Sequence, residues 1–474
     1  MITLQRYMLI AVIVLLAGCR AEAPAAPVEG ADITVVATDL GTGSWQVDYI
    51  YSSPQKALIF ARSKGDYRTA SWTPLGDAPE VQRIGGFDAL IFETPLTAFS
   101  FEIVPHSAGI PQDYTPFLAF SDGGTAMFTG QFELLAVADR AEIVALESRL
   151  QNWTGEQPAL GVRVISERPM LLQGEPRTGS VEHVSVGSGT YVFIGETKLQ
   201  AGSSYIGVID EALPQHIRDS LDADLESLFA FYEKRWGFVL PRKGSIYFAF
   251  EGYDRPGFSN KGSVIGTDLM VLQTGGEGLR HPDPDNRARN LWFFAHEGAH
   301  MFQGKVMGQF AVGPDAWIHE GGANTMANSA LATLAGVDAD FILGEYQNAF
   351  ETCIQDLERG SLLTAHLDGR FYAHYHCGQI FNAAADAALP EHDLYAFWKA
   401  FTARLDPDNP EPAEAFFATL NDLGADSQIS ESIRALAYQD SLDPRRDLSR
   451  LLSLSGLEPG FDENGALVSL KVPE

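Results

Sequence analysis

The chain has 474 residues, of which 45% are hydrophobic and 20% are charged, as is usual for soluble globular proteins. Because single cores rarely grow beyond about 300 residues, this length predicts at least two domains. Asp and Glu number 62 against 33 Lys and Arg, and the net charge of -29 repels nucleic acid, so no nucleic-acid partner is expected.

The first residues, MITLQRYMLIAVIVLLAGCR, place Arg6 before an apolar run over 7–16 and two small residues before Cys19. The run is shorter than the ~20 apolar residues that span a bilayer, so residues 1–18 are predicted to be a signal peptide. The four residues LAGC resemble the lipobox of bacterial lipoproteins, which implies cleavage before Cys19 and lipidation of its thiol. Plain secretion with an incidental cysteine is the alternative.

The lipobox resemblance implies a protein of the bacterial cell envelope that contacts the membrane only through its N-terminal lipid anchor. Arg20 follows the cysteine, where an Asp is the usual signal for inner-membrane retention in enteric-type bacteria. The outer membrane is therefore the predicted destination. Residues 19–31 are rich in Ala and Pro and predict a flexible tether.

Residues 32–208 predict a β-rich domain that resembles a sandwich. Short alternating runs such as ITVVATDL, SWQVDYIY and GTYVFIGET are separated by Gly, Pro, Asp and Ser. A short helix is predicted within 140–150.

Residues 209–474 predict an α-rich domain with a small sheet, so the fold class is multidomain α+β. SIYFAF and SVIGTDLMVLQT are predicted strands, and apolar residues recur at helical spacing before and after them. Beyond the helix that contains WFFAHEGAH, the predicted helices are 315–334, 338–357, 372–388, 394–405 and 412–423.

The segment WFFAHEGAH places His296, Glu297 and His300 on one helical turn. Residues four apart on a helix lie one above the other, so two imidazoles can bind one zinc ion at ~2.0–2.1 Å. Glu297 projects to one side, where it can take a proton from a metal-bound water that attacks a carbonyl group. The alternative is ordinary hydrogen bonding by three polar residues on a helix face.

A catalytic zinc ion needs a third protein ligand, and Glu320 in the segment WIHEGGA is predicted to supply it from the next helix. HEGAH and WIHEGGA together resemble the gluzincin metallopeptidases, in which HExxH precedes a ligand Glu within W-x-x-E-G-x-A. The loop between the motifs is one residue longer than in leukotriene-hydrolase-like aminopeptidases. The resemblance, which extends to the glycyl-aminopeptidase-like branch, implies a thermolysin-like domain, one Zn²⁺ and a peptide or protein substrate.

The resemblance extends to the segment YHCG, which matches a Y-x-x-G element whose Tyr donates its hydroxyl to the tetrahedral intermediate. Tyr375 is therefore predicted to be catalytic, since such a donor contributes about 3–4 kcal/mol. The alternatives are Tyr372, one turn earlier, or an ordinary core role for Tyr375. Asn324 is predicted to orient His296 or His300, although a backbone carbonyl could do the same.

The aminopeptidases carry a G-x-M-E-N segment whose Glu binds the substrate amine, and FSNKGSVIGTDLMVLQT has no Met-Glu-Asn. This segment is predicted to supply an edge strand for the substrate backbone, with Asp268 as the candidate amine ligand. The predicted function is zinc-dependent peptide-bond hydrolysis of an aminopeptidase-like kind. The alternatives are a non-catalytic binding lipoprotein on a peptidase scaffold and a zinc hydrolase of a non-peptide substrate.

The remaining cysteines and histidines form two sets. With Cys19 assigned to lipid, Cys353 and Cys377 form a pair in an oxidising compartment, which favours a disulfide over two buried free thiols. Three further histidines are predicted to be satisfied polar residues near the pocket rim, because four-coordinate zinc has no room for them. They are His319, His374 and His376.

Overall fold

The computed structural model describes residues 26–110, 113–307, 313–334, 336–406 and 411–471. The predicted signal peptide at 1–18 and the predicted lipid site at Cys19 lie outside the described residues. Within the described part, no helix is long and apolar enough to cross a membrane.

The N-terminal region is built on one sheet of eleven strands. Neighbouring strands of this sheet are antiparallel, except that the first and ninth strands of the chain pair in parallel. In chain order the elements are β1 (Ile33–Asp39), β2 (Trp45–Phe60), α1 (Tyr67–Ser71), β3 (Trp72–Leu75), β4 (Gln82–Ile84), β5 (Phe87–Ile103), β6 (Phe117–Ala119), β7 (Thr125–Phe128), β8 (Leu134–Val137), α2 (Arg140–Ala145), β9 (Ala159–Leu172), β10 (Glu175–Val186) and β11 (Tyr191–Ile194).

The long strands β2 and β5 contribute residues to two separate hydrophobic clusters of this region. In the first half of β2, Trp45, Val47 and Tyr49 are buried at alternate positions, as expected for a strand with one face inward. The pairing with β5 is irregular between Ile50 and Ala57, and beyond that point β2 pairs with β8 around a separate cluster. The β-rich N-terminal region that the alternating runs predict is confirmed.

A second sheet begins before the predicted boundary at residue 208. Its strand order is β12-β13-β14-β16-β15, in which β13, β14 and β16 are parallel and β15 is an antiparallel edge strand. The segment SVIGTDLMVLQT, predicted as one strand, is broken by a turn at Gly266, whose φ is +63°. The elements are β12 (Leu199–Ala201), β13 (Tyr205–Ile209), α3 (Gln215–Trp236), β14 (Gly244–Phe250), β15 (Ser259–Ile265) and β16 (Leu269–Gly275).

The two sheets share a hydrophobic core. Tyr191 and Phe193 of the first sheet pack in one cluster with Tyr247 and Val271 of the second. The hydroxyl of Tyr247 donates to the carbonyl of Leu171 at 2.9 Å. The two sheets are therefore packed against each other, and a cavity between them is lined by residues of both regions.

The remaining elements form an α-rich layer, as predicted. Four of its helices begin at an Asp whose side chain accepts a backbone N–H, the usual N-cap interaction. The elements are α4 (Pro284–Met307), α5 (Trp317–Leu331), α6 (Ala339–Leu357), α7 (Ala373–Ala387), α8 (Leu394–Thr402), α9 (Pro412–Asp422), α10 (Ser427–Tyr438), α11 (Pro444–Leu454), β17 (Glu458–Phe461) and β18 (Leu467–Lys471).

A disulfide joins α6 to α7 between Cys353 and Cys377. Both residues are fully buried, and the bond closes a segment of 24 residues. Closing a loop of this size stabilises the folded state by about 3 kcal/mol in the chain-entropy view. The bond therefore fixes the position of α7, the helix that carries Tyr375.

Candidate metal centre

Helix α4 holds its HExxH turn in a fully packed position. His296, Glu297 and His300 are all buried between the second sheet and α5. Tyr232 on α3 donates its hydroxyl to the carbonyl of Ala295 at 2.7 Å, which anchors the turn from behind. The side chains of the motif are therefore preorganised by the fold.

Three ligand atoms converge in front of this turn. The Nε2 atoms of His296 and His300 are 3.1 Å apart, and Oε2 of Glu320 lies 3.1 Å from His300 and 3.6 Å from His296. Tetrahedral ligands at ~2.0–2.1 Å from zinc lie ~3.3 Å from one another. The three residues therefore fit one metal ion of this size.

Two side-chain amides fix the tautomers of the histidines. The Nδ1 atom of His296 is 2.7 Å from Oδ1 of Asn324, and Nδ1 of His300 is 2.8 Å from Oε1 of Gln303. The amide of Asn324 is oriented because its nitrogen donates to Oε1 of Gln379, and that of Gln303 because its nitrogen donates to the carbonyl of His319. Each Nδ1 therefore donates to an amide oxygen.

This tautomer leaves the Nε2 lone pair of each histidine directed toward the Glu320 carboxylate. Three electron-pair donors within 3.6 Å repel one another unless a proton or a metal ion lies between them. Burial raises the pKa of Glu320, but His300 and His319 outweigh it and hold that pKa well below its usual value. The site thus offers two imidazole Nε2 atoms and a carboxylate to a metal ion, and a metal that binds there takes the place of any proton on these atoms.

Glu297 is the buried acid beside these ligands and is not one of the three converging groups. Burial raises the pKa of its carboxyl, although His296 and His300 lower it. It lines the adjoining cavity. A carboxylate in this position can accept a proton from a water molecule in the cavity and return it.

Tyr375 lies on α7, beside His296. Its ring stacks on the ring of His296 with centroids 5.6 Å apart. Burial, followed by Glu320 and Glu297, raises its pKa well above the usual value, so the hydroxyl keeps its proton. Tyr372, by contrast, is 68% exposed and precedes the first turn of α7.

Two motif glycines set the distance between α5 and α7. A Cβ atom at Gly321 would collide with the backbone of Gly378, and a Cβ at Gly378 would collide with the carbonyl of Trp317. Glu320 precedes the first glycine and Tyr375 lies one turn before the second. This close helix contact therefore brings the predicted ligand and the predicted hydroxyl donor together.

Several residues around the centre were missed or misassigned from the sequence. Gln303 follows His300 at helical spacing i+3, which could have identified it. His374 was predicted to be a satisfied rim residue, which is wrong: it is fully buried, and neither ring nitrogen has a hydrogen-bond partner. Burial lowers its pKa to about 4. His319 is also buried, with Nε2 3.4 Å from Oε1 of Glu320.

The structure does not bring Asp268 into the cavity beside the metal centre. Asp268 lies in the turn between β15 and β16, with its carboxylate 3.8 Å from Nη1 of Arg242. Burial raises its pKa, and Arg242 opposes this. The third histidine of the predicted rim set, His376, does line the cavity, and its Nδ1 has no partner.

The cavity in front of the centre has a volume of about 1050 Å³. One wall comes from loops of the N-terminal region, and the other comes from β15, α4, α6 and α7. Edge strand β15 contributes residues 260–263 to the lining. The volume is at the upper end of the range for ligand pockets, and the free strand edge can pair with an extended backbone.

Comparison with known proteins identifies the fold. No protein-family model matches the chain, and no curated protein matches it in sequence. An aminopeptidase N family protein from Idiomarina loihiensis has a similar structure, with a TM-score of 0.61 and 13% identity over 93% of this chain and 82% of that one. Yeast LTA4 hydrolase has a TM-score of 0.51 and 12% identity over 87% of this chain and 68% of that one. The chain therefore shares its fold with these two proteins.

Proposed function

We propose that the protein is a zinc-dependent peptidase in which His296, His300 and Glu320 hold one Zn²⁺ and Glu297 is the general base. The observation that carries the proposal is the set of three lone-pair donors 3.1–3.6 Å apart, with a second buried carboxylate, Glu297, on the same turn as the two histidines. The fold shared with an aminopeptidase N family protein and with LTA4 hydrolase supports the same class and an aminopeptidase-like action.

The chemistry requires a proton to move twice. Bound at this site, zinc would supply a Lewis acid that polarises the substrate carbonyl and acidifies water. Glu297 takes a proton from the attacking water, whose oxygen bonds to the carbonyl carbon. Glu297 then delivers that proton to the leaving nitrogen as the C–N bond breaks. The hydroxyl of water ends on the acyl group, and its proton ends on the amine.

Replacing Tyr375 with Phe is expected to lower kcat by about 10²–10³-fold with little change in KM. In the proposed mechanism the hydroxyl donates to the oxyanion that develops during attack, and such a donor contributes about 3–4 kcal/mol. Steady-state kinetics and zinc content measure the effect. Tyr372→Phe is the matched control, and an equal loss in both variants would contradict the role of Tyr375.

The test of the proposed function is hydrolysis of a broad peptide library before and after removal of metal. We expect cleavage by the native protein, loss of cleavage after chelation, and recovery on addition of about one equivalent of Zn²⁺. A zinc-loaded protein that cleaves no peptide would contradict the proposal. That result would favour a binding lipoprotein or a hydrolase of non-peptide amides or epoxides.

We also propose that Cys19 carries a lipid that anchors the protein in the outer membrane. The support is the short apolar run followed by the lipobox-like LAGC and by Arg20. Changing Cys19 to Ser is expected to prevent lipid attachment and to leave the protein out of the membrane fraction, measured by mass spectrometry and fractionation. Unchanged membrane attachment of this variant would contradict the anchor.

A further inference from the structure

Side chains of α4 and α5 form three consecutive pairs, each four residues further along its helix. The pairs are His300 with Glu320 at 3.1 Å, His296 with Asn324 at 2.7 Å and Trp292 with Asn328 at 2.7 Å. The residue numbers rise on α5 as they fall on α4, so the two helices run antiparallel. Residues four apart share one face of a helix, and Trp292 therefore lies on the same face of α4 as both ligand histidines.

Two aromatic rings stack on the imidazole of His296. The indole of Trp292 has its centroid 5.8 Å from that of the imidazole, with the two planes inclined by 21°. The ring of Tyr375 stacks on the same imidazole at 5.6 Å, with the planes inclined by 24°. Rotation of the imidazole about its Cβ–Cγ bond would break both stacks. The plane of the imidazole is therefore fixed by the two rings, and its Nδ1 edge is fixed by Asn324.

Trp292 is itself held in place from the interior of the protein. Its indole N–H donates to Oδ1 of Asn328, whose residue is only 1% exposed. Trp292 is half-buried and lines the cavity beside His296. An indole that only filled the core would be fully enclosed, whereas this one is anchored at its nitrogen and presents its face to a proposed metal ligand.

This stack bears on metal binding through both charge and geometry. When zinc is bound to Nε2, the imidazole of His296 carries part of the metal's positive charge. An indole has the most electron-rich face of the aromatic side chains and attracts a cationic group placed over it. The same contact keeps the imidazole in the orientation in which its Nε2 faces Glu320. Trp292 therefore favours the metal-bound state of His296.

We propose that Trp292 is a positioning residue of the metal centre, which raises the affinity of the site for zinc and slows zinc release. It acts through its stack on His296, in the orientation set by its hydrogen bond to Asn328. The inference rests on the proposed function, because it requires zinc at His296. It assigns a role to a residue that lies one turn before the HExxH motif.

The test measures zinc affinity by competition with a chelator, in the absence of substrate. Trp292→Leu removes the ring, and we expect zinc to bind about 10- to 100-fold more weakly, as when other groups that support a ligand are removed. Trp292→Phe keeps a ring on the imidazole and should bind zinc within about threefold of the native affinity.

Phe293→Leu is the matched control for Trp292→Leu. Phe293 is the next residue of α4 and lines the same cavity, but its ring is directed toward β15, where a Cβ atom at Gly262 would lie 3.0 Å from its Cε1. We expect this variant to keep the native zinc affinity. Urea unfolding of the metal-free proteins measures any loss of packing separately.

The visible absorption of the Co²⁺-loaded proteins gives a second readout, because it reports the geometry of the ligands around the metal. We expect a changed spectrum in Trp292→Leu and the native spectrum in Trp292→Phe and Phe293→Leu. A loss of packing away from the centre would leave the spectrum of Trp292→Leu unchanged, and that result would overturn the inference.

Equal zinc affinity in the native and Trp292→Leu proteins would also overturn the inference and leave the proposed function intact. The same conclusion follows if Phe293→Leu weakens zinc binding as much as Trp292→Leu, or if Trp292→Phe fails to restore it. Absence of zinc from the native protein would overturn the proposed function and this inference with it.

Discussion

Glu297→Gln protein is expected to hydrolyse peptides about 10²–10⁴-fold more slowly than the native protein while it retains its zinc. The amide has the shape of the carboxylate but cannot accept a proton from water. Glu297 lies outside the set of three converging ligand atoms, so its change should not remove the metal. The measurements are kcat/KM and metal content of the same preparations.

The control for this variant is Glu345→Gln, which removes a half-buried carboxylate that lines the same cavity. We expect little change in kcat with this variant. Loss of zinc together with activity in Glu297→Gln would mean that Glu297 acts as a ligand. Retained activity would show that another group activates water, which contradicts the mechanism.

Gly321→Ala is expected to destabilise the protein by about 3 kcal/mol or more and to weaken zinc binding. The new methyl group would collide with the backbone of Gly378, which cannot rotate away as a side chain can. Helices α5 and α7 must therefore separate, which moves Glu320 and Tyr375 apart. Urea unfolding gives the stability, and competition with a chelator gives the zinc affinity.

Gly344→Ala is the matched control because it makes the same change in helix α6, where nothing lies within 4 Å of the added atom. This variant is expected to be more stable than the native protein by about 0.5–1 kcal/mol, since Ala has the higher helix propensity. If the two variants had the same stability, the close contact of α5 and α7 would not constrain the centre.

Local patterns in the sequence were sufficient to predict the main elements around the centre. The predicted helix 338–357 is observed as Ala339–Leu357, and 372–388 is observed as Ala373–Ala387. The pair His296 and His300 follows from helical periodicity alone, and both side chains meet Glu320 in the structure. Such features depend on spacing within one element, which the sequence displays directly.

Features that depend on packing between distant segments could not be predicted in this way. The strand segment containing Asp268 is apolar on both sides of its turn, so the change from β15 to β16 left little periodic signal. The burial of His374 arises from helices that surround it in space. The cavity is lined by both Arg62 and Lys261, which are about two hundred residues apart in the sequence.

Three side chains are proposed to hold one zinc ion. The most direct test is to remove all metal from the protein, titrate it with Zn²⁺, dialyse it and measure the zinc bound per chain. We predict one zinc ion per chain in the native protein and none retained by His300→Ala or Glu320→Ala at the same free zinc concentration. Absence of bound zinc in a folded native protein, or undiminished binding by both variants, would contradict the account.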